Sequence, residues 1–149
     1  MKIFFDTSAL AKRYVEEPGS DQIEYLFLSL ATKVFVCTLA FPEFATALGR
    51  KVRDNEIPKK AATHAVEEFE KDWEGLYIKI PVSDNLAESA ASLAIQYPLK
   101  GADAVHLASA VSTSPDLFVV ADHQLIAAAE KLDLTSYDPT SGPIRIKKL

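Results

Sequence analysis

Two hydrophobic periods alternate along this chain: short runs of consecutive or alternating apolar residues, and longer stretches with an apolar residue every three or four positions. The first kind predicts strands and the second helices. Ile3–Phe5 is apolar and ends at Asp6-Thr7-Ser8, after which Ala9, Leu10, Ala11, Tyr14 and Val15 give strand, turn, helix. Ser20-Asp21-Gln22-Ile23-Glu24 offers a capping residue with a Glu three positions after Asp21, and Ile23, Leu26, Phe27 and Leu30 carry a second helix. Lys33–Thr38, rich in β-branched and aromatic residues, predicts a strand. Pro42 stands near the start of a helical pattern through Phe44, Ala45, Ala47, Leu48 and Val52, so Glu43 falls in a first turn.

Beyond Ile57-Pro58, the positions Ala62, Ala65, Val66, Phe69 and Trp73 form one apolar stripe, and the pattern predicts an antiparallel helical hairpin with its predecessor. Leu76–Ile80 is a short strand broken by Pro81, and Ser83 caps a helix through Ile95. Gly101-Ala102-Asp103 opens another helix, to about Val111. Leu117–Ala121 is a continuous apolar run, as expected of a strand buried on both faces; Asp122 stands just beyond it, before the helical stretch Gln124–Leu132. Ser136–Asp138 and Ile144–Lys147 are weaker strand candidates, separated by Pro139 and Gly142-Pro143.

This alternation predicts an α/β fold, a three-layer sandwich with a mostly parallel central sheet. A chain of 149 residues suits one core, so residues 1–149 are read as one domain. Parallel sheets place ligands outside the carboxyl ends of their strands, where Asp6 and Asp122 stand. With 48% hydrophobic and 25% charged residues, the composition is that of a folded globular protein and excludes a disordered one. The apolar runs fall short of the roughly 20 residues of a bilayer span, and the first residues lack the apolar stretch of a secretory signal. The expectation is a cytoplasmic protein with no membrane segment. Cys37, the only cysteine, lies in an apolar run and reads as a buried thiol. A net charge of −5 argues against binding nucleic acid through a broad basic surface, but carboxylates holding a metal ion can still meet a phosphate locally.

Four acids carry the candidate chemistry: Asp6 and Asp122 at strand ends, Glu43 and Asp103 in first helical turns. Gathered in space they would repel one another and raise each other's pKa, so the cluster calls for protons or a cation. Magnesium or manganese, hard ions that prefer oxygen ligands, fit that need. Each acid also has a plainer use: helix capping for Asp6 and Asp122, interaction with the helix dipole for Glu43 and Asp103. Ser8 can bond a carboxylate, a metal-held water or the local backbone, and His106, among Val105, Leu107 and Ala108, reads as a structural core histidine. The basic groups Lys12-Arg13, Arg50-Lys51, Arg53, Lys59-Lys60, Arg145, Lys147 and Lys148 read mostly as solvated faces, with Lys12, Arg13 and Arg50 placed to steer an anion.

Four segments resemble the PIN-domain family, and within it the VapC-like toxins of toxin–antitoxin pairs. They are Phe5-Asp6-Thr7-Ser8-Ala9-Leu10 with Lys12, Tyr14 and Glu17; Pro42-Glu43-Phe44; Gly101-Ala102-Asp103-Ala104-Val105-His106-Leu107-Ala108-Ser109-Ala110; and Val119-Val120-Ala121-Asp122. The third is the most specific, and order and spacing agree from Ile3 to about Leu132. One departure is Val120, where family members often carry Ser or Thr. The resemblance implies a metal-dependent endoribonuclease that cuts RNA phosphodiesters, with Asp6, Glu43, Asp103 and Asp122 both catalytic and metal-holding. It further implies magnesium or manganese as cofactor, a homodimer, and a protein antitoxin covering the acidic pocket; Ile23–Leu30 and the 58–74 hairpin are candidate partner surfaces. A catalytically silent binding module and a DNA-directed nuclease are the alternatives. Haloacid-dehalogenase phosphatases and receiver domains fit poorly: Ser8 stands where the first needs an acid, and no Lys follows Asp122 as the second needs.

Overall fold

The computed structural model describes residues 1–146. Five parallel strands, β1 (Lys2–Phe5), β2 (Lys33–Cys37), β3 (Tyr77–Ile80), β4 (Leu117–Val119) and β5 (Ser136–Tyr137), form one sheet in the order β3-β2-β1-β4-β5. Between them lie α1 (Thr7–Ala11), α2 (Ser20–Tyr25) with a π-helical continuation over Leu26–Leu30, α3 (Ala40–Arg53), α4 (Lys59–Gly75), α5 (Asp84–Gln96), α6 (Gly101–Thr113) and α7 (His123–Lys131). The expected sandwich is the one observed.

Strand alternation explains the layers. Ile3 and Phe5 of β1, Val34 and Val36 of β2, and Leu117 and Val119 of β4 face one way, onto α1 to α4. Phe4, Cys37 and Phe118 face the other way, onto α5, α6 and α7. Both faces are covered, which is why β4 reads as an unbroken apolar run rather than an alternating one. The α3 and α4 hairpin runs antiparallel: Phe44 stacks on Phe69 at 4.4 Å, and Phe41, three residues earlier, meets Trp73, four residues later, at 5.1 Å.

From β1 the chain builds outward to β2 and β3, then returns to place β4 and β5 on the opposite side of β1. The direction therefore reverses between β1 and β4, and a crevice opens beyond their carboxyl ends. The backbone N–H of Asp6 donates to Val119 O at 3.1 Å, so the two strand ends are tied where the crevice begins.

Three local expectations are corrected. Helix α1 stops at Ala11, and residues through Val15 continue only as single turns closed by bonds such as Val15 N–H to Ala11 O. The capping signal at Ser20 and Asp21 is not used as such. Gly19 occupies the cap at φ 94°, and the Ser20 hydroxyl turns back to accept from Glu17 N–H and donate to Val15 O. A Cβ at Gly19 would come within 2.9 Å of Pro139 O, so both the positive φ and the close approach require glycine there. In the last strand candidate, residues 144–146 are irregular and Lys147 lies outside the described residues, as does Lys148.

Candidate active site

A cavity of about 600 Å³ opens beyond the ends of β1 and β4, and all four acids line it, with Thr7, Ser8, His106, Arg50 and Lys100. The fold assembles these residues from α1, α3, α6 and the turn after β4.

Asp6 is the deepest, with 5% of its surface exposed. It follows β1 directly and caps α1, its Oδ1 accepting from Ala9 N–H at 3.0 Å, while the Ser8 hydroxyl donates to its carboxylate at 2.9 Å. Burial pushes its pKa up to about 6, and Asp103 adds to the rise. The Ala9 amide, the His106 ring and Ser8 pull the other way without cancelling it. Asp122 is exposed at the rim and caps α7, Oδ1 accepting from Leu125 N–H at 2.9 Å. The plainer reading of these two acids holds, since each caps a helix, and each also lines the cavity.

Glu43 stands in the first turn of α3, where its Oε1 accepts from Thr7 Oγ1 at 2.7 Å and from His106 Nε2 at 2.5 Å. Burial works to raise its pKa, but those two donors outweigh it and hold the carboxyl below the usual range. Asp103, in the first turn of α6, has no hydrogen-bond donor for its carboxylate among the described residues. Burial raises its pKa first, and Asp122 and Glu43 add repulsion that His106 and Lys100 only partly offset.

Ser8 bonds a carboxylate rather than the local backbone. His106 is buried as expected, yet its ring reaches into the acid cluster. Of the cations expected to steer an anion, Lys12 is bound to Glu17 at 3.1 Å and Arg13 to Asp72 at 3.0 Å, so both are diverted; Arg50 remains on the cavity wall. Lys100 and Thr7 were not singled out by the sequence reading. Their only signal is adjacency, Thr7 directly after Asp6 and Lys100 directly before the Gly101-Ala102-Asp103 word.

The donor set suits a hard divalent cation, since it offers carboxylate oxygens and mutual repulsion that a positive charge relieves. Among the described residues, no three carboxylates, imidazoles or thiolates are gathered tightly enough to wrap an ion by themselves. A hard divalent cation that keeps several waters and takes one or two carboxylates directly would match that openness. Among the described residues, no helix is long and apolar enough to cross a membrane.

Comparisons with known proteins give the family and the fold. The family model of the PIN domain matches residues 3–131. Ribonuclease VapC45 of Mycobacterium tuberculosis is 31% identical over 122 residues, covering 80% of this chain and 81% of its own. The crystal structure of VapC20, a sarcin-ricin loop cleaving toxin from the same species, superposes with a TM-score of 0.68 at 20% identity over 85% of this chain and 94% of its own. A toxin-antitoxin complex from Klebsiella pneumoniae has a similar chain with a TM-score of 0.67 at 16% identity, covering 95% of this chain and 99% of that one. The two structural likenesses speak to the fold.

Proposed function

This chain belongs to the PIN-domain family, and we propose that it is a metal-dependent endoribonuclease, a single-domain toxin of a toxin–antitoxin pair. The observation that carries the reading is four carboxylates lining one cavity at the point where the sheet changes direction. The 31% identity to a ribonuclease over four-fifths of both chains supports RNA as the polymer cut.

In this reading Asp6, Glu43, Asp103 and Asp122 are the catalytic set and hold magnesium or manganese. When bound, the ion supplies Lewis-acid polarisation of the phosphodiester and eases deprotonation of the attacking water. The chain's own groups do the rest. Burial raises the pKa of Asp6 to about 6, a cost that a bound cation would relieve by favouring the ionised carboxylate, and Ser8 fixes its orientation. Arg50 and Lys100 line the same cavity without an ion-pair partner among the described residues, and they hold the phosphates on either side of the cut. The partner is a protein antitoxin whose segment covers the acidic pocket, a reading supported by the similar chain in a toxin-antitoxin complex, and the family resemblance extends it to a homodimer.

The test is gel-resolved cleavage of a structured RNA pool and a matched DNA pool, with magnesium or manganese, with chelator, and with Asp6→Asn as contamination control. RNA cutting that requires metal and disappears in the variant is the expected result. Equal activity in the variant, preference for DNA, or none from well-folded wild type across varied RNAs overturns the reading.

A further inference from the structure

His106 has 2% of its surface exposed, and its two ring nitrogens meet different fates. Nε2 lies 2.5 Å from Glu43 Oε1 and 3.1 Å from Thr7 Oγ1, whereas Nδ1 is buried with no hydrogen-bond partner among the described residues. A histidine that served packing alone would be expected to have both nitrogens satisfied, because leaving a buried polar atom unpaired is costly. Here one nitrogen goes unpaired while the other is aimed at a carboxylate. A carboxylate oxygen accepts from a ring N–H, so the contact assigns the proton to Nε2 as the donor.

Thr7 completes the arrangement. Its hydroxyl donates to the same oxygen at 2.7 Å, so donors carried by α1 and α6 converge on one atom of a residue carried by α3. Oε2 of Glu43 accepts no hydrogen bond from any described residue, although the side chain lines the cavity and is one-third exposed. A free glutamate at that depth would sample several rotamers, and ordering it on binding a ligand costs entropy. Two donors on Oε1 supply that ordering before any ligand arrives and leave the other oxygen open.

We propose that His106 and Thr7 are positioning residues that lock Glu43 through Oε1, so that Oε2 is the one oxygen this glutamate offers to a divalent cation. The inference rests on the metal-site reading above. Partners that orient a ligand in this way are worth about 10 to 100-fold in metal affinity or activity.

The experiment is calorimetric titration of the full chain with Mn²⁺ for wild type, His106→Leu, His106→Gln and Thr7→Val, beside thermal midpoints in chelator. His106→Leu is expected to weaken Mn²⁺ binding about 10 to 100-fold with a midpoint close to wild type, since it also removes the unpaired Nδ1. A glutamine amide can donate to Oε1, so His106→Gln recovers most of the affinity, and Thr7→Val loses less than His106→Leu. RNA cleavage by His106→Leu rises toward wild type as Mn²⁺ is increased. Unchanged or tighter Mn²⁺ binding in a folded His106→Leu overturns the proposal. If that variant does not fold, wild-type affinity in Thr7→Val overturns it instead. A wild type that binds no Mn²⁺ removes the metal site and the clamp together, whereas a wild type that binds and a His106→Leu that binds equally removes the clamp alone.

Discussion

On the flank where the turns after α1 meet α4, Asp72 accepts from Arg13 Nε at 3.0 Å and from the Tyr14 hydroxyl at 2.6 Å, and Tyr14 in turn bonds Tyr77. The Arg13 guanidinium lies 4.0 Å from the centre of the Phe27 ring, and nearby Glu17 is gripped by both Lys12 and Lys51. In the cavity beyond β1 and β4, by contrast, Asp103 has no donor among the described residues and faces Asp122 and Glu43. Both regions are polar and partly buried. In the first, opposite charges meet and the groups stabilise the fold; in the second, like charges are held together by the surrounding fold, and their relief is left to a ligand.

The shifts in proton affinity record the same contrast. Burial raises Asp6 from its ordinary 3.8 to about 6. Burial also works to raise Glu17, but the bonds from Lys51 and Lys12 outweigh it and leave its carboxyl below the ordinary range.

The comparison can be broken in several ways. The largest expected effect is on turnover: Asp6→Asn lowers RNA cleavage by more than about a hundredfold, given that even partners one layer behind a metal ligand are worth about 10 to 100-fold. Retention of a tenth of the wild-type rate would remove Asp6 from the catalytic set.

Next is the pH dependence of stability in chelator. Folded Asp6 binds its proton more tightly than unfolded Asp6, so its contribution is fully present below pH 3.8 and is lost as pH rises to about 6. Urea titrations should show wild type losing up to about 3 kcal/mol relative to Asp6→Asn across that window, a difference that magnesium reduces. A flat difference would mean that the pocket is not electrostatically strained.

In the paired region, Asp72→Ala strands the Arg13 guanidinium, removes one of the two partners of the Tyr14 hydroxyl, and should lower stability by about 1–3 kcal/mol in urea. RNA cleavage well below the new midpoint should stay near wild type. A stable Asp72→Ala with impaired cleavage would invert the assignment of roles.

Arg50→Ala and Lys100→Ala should each raise KM a few-fold and reduce the salt slope of RNA binding by about 1 with kcat little changed, whereas Lys12→Ala should act on stability. Smallest of all, Glu17→Gln should cost under about 1 kcal/mol near neutral pH. Because its folded pKa is depressed, that contribution is present above about 4.5 and fades as pH falls, opposite in sense to Asp6.

Much of the fold was legible because its signals are local. The apolar run Leu117–Ala121 predicted a doubly covered strand; the observed β4 spans Leu117–Val119, and Val120 continues the buried run. Ser83 was expected to cap α5 and does so through a bond to Leu86 N–H, three residues away. One failure was a local signal overruled by a distant neighbour. Ser20 lost the cap to Gly19, where the positive φ and the closeness of Pro139, 120 residues further along the chain, leave no room for a side chain.

The sequence by itself determined which acids end strands or open helices, since periodicity and capping act within a few residues and leave their mark in order and spacing. It also carried the local words that resemble the PIN-domain family. Partner choice among polar side chains belongs to the tertiary structure. Glu43 and His106 are 63 residues apart, and Arg13 and Asp72 are 59 apart, yet they meet at hydrogen-bond distance. A hydrogen bond or ion pair is decided by a separation of about 3 Å in space, and chain spacing does not specify which of several bases or donors will reach a given acid. Packing of α1, α3 and α6 beyond the sheet therefore decided that Lys12 and Arg13 brace the fold, that Arg50 and Lys100 stay in the cavity, and that His106 holds an acid.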